Sequence, residues 1–222
     1  MDTPERSWRW SPTVFAARWG QDLVVLDVSR DDYLVLAGAG AWTDMDLATG
    51  GLEIGDDGLA AQLGDSGLIL AGSKPAMVQR RTAPEAREDI FANAPQRPHL
   101  GDMLAFAWVM VEMIPLYWLR SFPRLVHLQE RPNGEDAPQP SEALTRSALV
   151  FERMLVWAPF QGKCLFRTAM LRRFLHRRGL RAAWVFGVRT WPFSAHCWLQ
   201  VGGVVINDRV DHVAGFAPVM VV

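Results

Sequence analysis

Cys164, His196 and Asp208 are the side chains in this 222-residue chain whose types and order could run nucleophilic acyl chemistry. A thiol attacks only as its thiolate. It needs a base within hydrogen-bond reach, and the base needs a third group to fix its tautomer. The three residues lie in the stretch QGKCLFRTAMLRRFLHRRGLRAAWVFGVRTWPFSAHCWLQVGGVVIND, residues 161–208, separated by 32 and 12 positions. Cys164 opens a segment in which Leu165, Phe166, Ala169, Met170 and Phe174 recur at helical spacing, and Gly179 follows as a C-cap. A cysteine at a helix start meets unpaired N–H groups and the positive end of the dipole, which favour a thiolate. Three strand-like runs follow, Ala182 to Val188, Ala195 to Val201 and Val204 to Asp208. His196 begins the second and Asp208 ends the third. Gln161 lies three residues before Cys164, where its amide would either support an oxyanion beside the Cys164 N–H or cap a loop.

The elements that carry these groups must also aim them. The last two runs meet at Gly202-Gly203, which predicts a hairpin. A two-residue loop would pair Val201 with Val204, set Cys197 across from Asp208, and leave His196 and Asp208 on opposite faces. A three-residue loop, Val201-Gly202-Gly203, would set His196 across from Asp208, at a Cβ separation of ~4.5–5.5 Å. A working triad therefore requires an odd-length loop or a bulge, with both side chains toward Cys164 and Cys197 turned away into packing.

Plainer readings compete. A lone helical cysteine is usually a small core residue. A Cys164–Cys197 disulfide is opposed by strand parity and by the low cysteine count of two. A metal held by Cys164, His196 and Asp208 would have three ligands, but no Cys-x-x-Cys or His-x-x-x-His pair supports it, so no metal is expected.

Cysteine on a helix with histidine and acid on successive strands resembles the papain and transglutaminase arrangement. Cys164-Leu165, His196-Cys197-Trp198 and Ile206-Asn207-Asp208 further resemble the lasso-peptide maturation proteases, in which alanine often stands where this chain has Cys197. The resemblance covers the C-terminal half. The N-terminal run VVLDVSRDDYLVL is similar in pattern to the leader-recognition domains of ribosomal peptide pathways. The resemblance implies an α+β chain in three parts. Residues 1–75 would be a small three-stranded sheet with helices that recognises a leader peptide, 76–98 a linker, and 99–222 a transglutaminase-like cysteine protease domain with helices packed on an antiparallel sheet. It implies leader cleavage from a lasso precursor, with Cys164 as nucleophile, His196 as proton shuttle and Asp208 as orienting acid. The leader would add as a strand beside Tyr33, Leu34, Val35 and Leu36. An asparagine-synthetase-like, ATP-dependent cyclase would act on the product. No bound cofactor is expected, and a nucleotide requirement stays open. Two other functions stay open as well: acyl transfer to an amine on the same residues, or a non-catalytic leader-binding scaffold.

Composition sets the outer bounds. Half of the residues are hydrophobic, enough for a sizeable core, and the net charge of −1 makes no case for nucleic acid. Ten tryptophans suit cores or a peptide groove. The polar start MDTPERSWRW lacks a secretory apolar region, so a cytoplasmic location is expected. Met103 to Leu119 is strongly apolar, but it contains Glu112 and Pro115 and falls short of the ~20 residues a span needs. It is expected as a buried helix that kinks or ends near Pro115, without membrane association. Thr13 to Ala17, Leu23 to Val28 and Tyr33 to Leu36 read as strands. Ala41 to Leu47 and Leu59 to Leu63 read as helical, with a turn of helix near Glu85 to Phe91. Ser141 reads as the N-cap of a helix burying Leu144, Ala148 and Phe151. Arg172, Arg173, Arg177 and Arg178 read as a solvated face complementing a helix C-terminus. His99, His127, His176 and His212 lack the strand setting of His196.

Overall fold

Short alternating runs broken by glycine and aspartate build the first half of the chain. The computed structural model describes residues 7–46, 50–72, 80–93, 96–119, 122–127, 138–157 and 164–222. β1 (Ser7–Trp10) is followed by β2 (Val14–Trp19), β3 (Asp22–Asp27) and β4 (Asp32–Leu36). The last three form an antiparallel sheet in the order β2-β3-β4, with Val24 paired to both Ala17 and Val35. All six residues of the central β3 are buried. Gly20, at φ +58, turns the chain between β2 and β3. Beyond β3, Asp27 Oδ1 accepts from the N–H of Ser29 at 2.9 Å, a local side-chain bond that starts the next turn.

The sequence reading of a helix over Ala41 to Leu47 is overturned within the described residues. Ala39–Ala41 makes a single 3-10 turn, and β5 (Thr43–Met45) follows. β-Branched Thr43 pairs with Ile54 of β6 (Gly51–Ile54), and its hydroxyl donates to the Ala39 carbonyl at 3.0 Å, so pairing overrides the local propensity. α1 (Asp57–Asp65), capped by Asp56, contains the expected Leu59 to Leu63 segment. β7 (Ile69–Ala71) completes a second sheet in the order β5-β6-β1-β7.

The remaining elements are β8 (Glu88–Asp89), α2 (Leu100–Leu119), α3 (Phe122–His127), α4 (Glu142–Met154) and α5 (Cys164–His176). They are followed by β9 (Ala183–Arg189), β10 (Ser194–Val201), β11 (Val204–Val205), α6 (Val210–Val213) and β12 (Ala217–Val221). The chain forms two compact units. The first holds Met1–Thr82 with Val188–Ser194 and Ala217–Val221, and the second holds Ala83–Gly187, Ala195–Phe216 and Val222. The architecture is α+β.

The first unit has a core of Trp10, Val14, Leu23, Val25, Leu52, Leu63 and Ile69. Asp22 ties its parts together. Gly38 N donates to Oδ1 at 3.0 Å, and Thr190 Oγ1 and Trp191 Nε1 donate to Oδ2 at 2.9 and 2.7 Å. These bonds hold its carboxyl below the usual value, the Gly38 amide first.

In the second unit α2, α4 and α5 pack together through Phe106, Phe151 and Phe174, whose rings lie 5.4 and 5.3 Å apart in turn. Ser141 caps α4, its hydroxyl accepting from Leu144 N at 3.2 Å. α5 ends as expected: Gly179 adopts φ +71, its N–H reaches His176 O, and Leu180 N reaches Leu175 O. Strands run in the order β9-β10-β11-β8, with β11 and β8 parallel. The helical turn expected near Glu85 to Phe91 is displaced: Glu88 and Asp89 pair as β8, and a 3-10 turn follows only at Ile90–Ala92. Gly187 has no substitute on β9, because a Cβ there would lie 2.7 Å from the Trp198 ring and 2.9 Å from Phe216.

Two expectations for the helices need correction. α2 runs through Pro115 and continues to Leu119, and it is buried on one side only. Phe106, Val109, Met110 and Met113 face inward, while Leu100, Leu104, Trp108 and Val111 are exposed. The arginines at the end of α5 and just after it are not a solvated face. Arg173 and Arg177 bind Glu112, and Arg178 with Arg146 binds Asp102, so the acids within the apolar α2 are neutralised from α4, α5 and the turn after α5. Among the described residues no helix is long and apolar enough to cross a membrane.

Candidate active site

Cys164 is the first residue of α5, partly exposed, with a free thiol. His196 lies near the start of β10, two residues before the buried Trp198, whose ring stacks with the imidazole at a centroid distance of 6.1 Å. A period of two puts both on one face of the strand. Phe216 also lies against the imidazole, at a centroid distance of 5.4 Å. These rings leave the imidazole little room to turn.

The hairpin differs from the expectation. Gly202 and Gly203 form a two-residue turn, with Val201 paired to Val204 and Gln200 to Val205. Gly202 takes φ +55, and a Cβ on it would meet the Pro138 carbonyl oxygen at 2.1 Å, so only glycine fits. A regular ladder of this register would part His196 from Asp208. Nevertheless Asp208 Oδ2 lies 2.5 Å from His196 Nε2.

The ladder stops after one more bond, from Ile206 N to Leu199 O at 2.9 Å. The returning Leu199 N–H is taken by the side chain of Asn207, whose Oδ1 accepts it at 2.7 Å. A side-chain carbonyl thus replaces a main-chain one, the backbone leaves the strand, and Asp208 comes round to the face of His196. Parity holds inside the ladder and lapses where the ladder ends.

Cys197 departs from its expectation as well. Its side chain is buried at 2 % exposure, yet it lines the same cavity as Cys164, and the two thiols share a hydrogen bond. Alternation separates the His196 and Cys197 side chains along the strand. It keeps neither from a residue at the end of a helix, which can be approached from two sides.

Charge follows this geometry. The hydrogen bond from Cys197, then the His196 imidazole, hold the Cys164 thiol down to about 4, although burial pushes it up. Burial pulls His196 down, but Asp208 and then Cys164 outweigh it and raise the imidazole to about 9. Asp208 falls to about 2, with burial opposed by His196 and His212. Burial, and next to it the Cys164 thiolate, push the Cys197 thiol well above its ordinary value. These shifts favour a thiolate facing an imidazolium, with an ionised acid behind it. Because Asp208 takes Nε2, the Nδ1 side of the ring is the one left for Cys164.

His212, set aside in the sequence for want of a strand, belongs to this group. Its Nδ1 lies 2.9 Å from Asp208 Oδ2, and its ring centroid is 4.8 Å from that of His196. The i, i+4 spacing of Asp208 and His212 was the signal that could have found it. The donor atoms of His196, Asp208 and His212 lie within 4.8 Å of one another, and hydrogen bonds account for that closeness.

A cavity of about 300 Å³ opens over the site, lined by Phe91, Arg167, Thr168 and Arg209 among others. Gln161 lies outside the described residues. Tyr33, Leu34, Val35 and Leu36 lie in the first unit on β4, at the end of its sheet's strand order. The Tyr33 ring lies 5.5 Å from that of Phe193, and Leu34 is exposed.

A cysteine-headed helix beside an antiparallel hairpin, with histidine on one strand and the acid just past the other, defines a transglutaminase-like domain. The profile of the Transglutaminase-like superfamily matches residues 105–221, more than half of the chain, and the chain belongs to that superfamily. A segment of 49 residues is 49% identical to the microcin J25-processing protein McjB of Escherichia coli. That match takes in 22% of this chain and 24% of McjB, so the chain spans about a quarter of the length of that relative. No solved structure matches the chain.

Proposed function

We propose that the chain is a cysteine peptidase that removes the leader from a lasso-peptide precursor. The observation that carries the reading is the Cys164–His196–Asp208 arrangement: a thiolate at a helix start, an imidazolium beside it, and a carboxylate 2.5 Å behind the ring. The local likeness to a microcin-processing protein supplies the substrate class. Cys164 attacks the scissile carbonyl, and His196 delivers its proton to the leaving amine. Water, deprotonated by the same imidazole, then releases the acyl group. Asp208 keeps the ring in the tautomer that serves Cys164 and stabilises its charge. The Cys164 backbone N–H at the start of α5 supports the oxyanion, with Gln161 as its proposed side-chain partner.

The leader is proposed to lie along β4, beside Tyr33, Leu34, Val35 and Leu36, as an added strand. The freed N-terminal amine would pass to an asparagine-synthetase-like cyclase. The two reduced cysteines suit a cytoplasmic setting.

Incubating precursor with the wild-type chain and with Cys164→Ala tests the reading. Cleavage by the wild type, and its loss in a variant that still binds the precursor, is expected. Cleavage that survives in Cys164→Ala removes the thiol as nucleophile. Capture of the acyl group by an added amine in preference to water would reassign the reaction as transfer.

A further inference from the structure

Each member of the proposed triad has a polar neighbour that takes no part in bond making or breaking. Thr168 stands four residues after Cys164, one turn along α5 and on nearly the same side of it. Cys197 follows His196, and Asn207 precedes Asp208. These three neighbours are joined to each other. Thr168 Oγ1 donates to the Cys197 carbonyl at 3.3 Å, Asn207 Nδ2 donates to Thr168 Oγ1 at 2.9 Å, and Asn207 Oδ1 accepts from Leu199 N at 2.7 Å.

The directions of these bonds are forced. Leu199 N–H is a donor, so the Asn207 amide must present its oxygen there and its NH₂ to Thr168. Thr168 then has its single proton left for the Cys197 carbonyl. Thr168 is 1 % and Asn207 9 % exposed, so water does not take over these partners readily. Apolar side chains of the same size would fill the space without fixing any direction. The bond from Asn207 to Leu199 also ends the ladder, and without that break Asp208 would stay on the wrong face of the hairpin.

We propose that Thr168 and Asn207 are positioning residues, a buried clasp that holds the Cys164 helix, the His196 strand and the Asp208 turn in mutual register. The proposal rests on the reading of Cys164 as nucleophile, and its test separates the two. Thr168, Cys197 and Asn207 are each one residue or one helical turn from a reacting group. A small misplacement there costs rate far more than binding.

The experiment uses the full chain with Thr168→Val, Thr168→Ser, Asn207→Ala and Asn207→Asp. Three readouts are taken: kcat and KM on the precursor, the pH at which Cys164 begins to react with iodoacetamide, and the thermal midpoint. Thr168→Val and Asn207→Ala should lower kcat on the order of 10- to 100-fold, with KM within about twofold. In both, the onset of Cys164 alkylation should move up by at least about one pH unit. Thr168→Ser, which keeps the hydroxyl, should restore both values. Asn207→Asp keeps the acceptor for Leu199 but no longer donates to Thr168, and it should fall between wild type and Asn207→Ala. Should Asn207→Ala fail to melt cooperatively, the nearly isosteric Thr168→Val and its serine counterpart decide. Folded variants with wild-type kcat and wild-type alkylation onset overturn the clasp. So does a Thr168→Ser variant as impaired as Thr168→Val, because the methyl group and not the hydroxyl would then matter. If wild-type Cys164 itself reacts only near the ordinary thiol pKa of about 8.5, the reading of the site falls first.

Discussion

Asp208→Asn is the perturbation that most directly exposes the electrostatics of the site. The substitution preserves shape and removes a charge 2.5 Å from His196 Nε2. His196 stands at about 9 against an ordinary 6.5, even though burial pulls it down. Two groups lift it, Asp208 first and the Cys164 thiolate second. Losing the Asp208 hydrogen bond and charge removes a main support of that rise, so the upper limb of the activity profile should fall, by on the order of one pH unit. The sign is fixed by which form works. With a thiolate above about 4 and an imidazolium below about 9, activity should be bell-shaped between those values, and loss of Asp208 should narrow it from the alkaline side. One pH unit corresponds to ~1.4 kcal/mol, or about tenfold in the imidazolium-to-imidazole ratio on that limb. An asparagine also presents an NH₂ where the ring N–H needs an acceptor. The wrong tautomer then faces Cys164, and the maximal rate should drop on the order of 10²- to 10⁴-fold. Measuring kcat/KM on the precursor across pH for both proteins reads the two effects separately. An alkaline limb within half a unit of wild type, with kcat within about threefold, would refute the argument.

Near neutral pH, iodoacetamide should modify Cys164 well before Cys197, because the first thiol is held at about 4 and the second is buried and raised. Peptide mapping by mass reads the order, and faster labelling of Cys197 would contradict the site. Asp102→Ala strands Arg146 and Arg178, which are part-exposed, from an 8 % exposed carboxylate and should cost about 1.5–3 kcal/mol in urea denaturation. Glu112→Ala removes a more exposed partner, at 29 %, and should cost only about 1 kcal/mol. The reverse order would show that burial does not govern these pairs.

Many element types and several boundaries were legible in the sequence because they rest on local forces, although Thr43–Met45 is a strand where a helix was expected. Helical periodicity from Leu165 to Phe174, the Ser141 cap, the left-handed Gly179 and the alternation through β2 to β4 each act over a few residues, and each stands where it was read. The order cysteine, histidine, acid was equally plain. What tertiary structure alone decided was how the hairpin delivers Asp208. Local turn chemistry gives Gly202-Gly203 a two-residue loop, which by itself parts the acid from His196. Only a hydroxyl on a separate helix, Thr168, gives the Asn207 amide the second partner that lets it replace a ladder bond. His212 likewise becomes part of the site only once Asp208 has left its strand. The acids of α2 and the arginines of α5 are 61 or more residues apart, and Asp22 lies 168 residues from Thr190. No window of local pattern spans such distances. Pairings of this kind depend on which surfaces exclude water together, and that is settled when the whole chain packs.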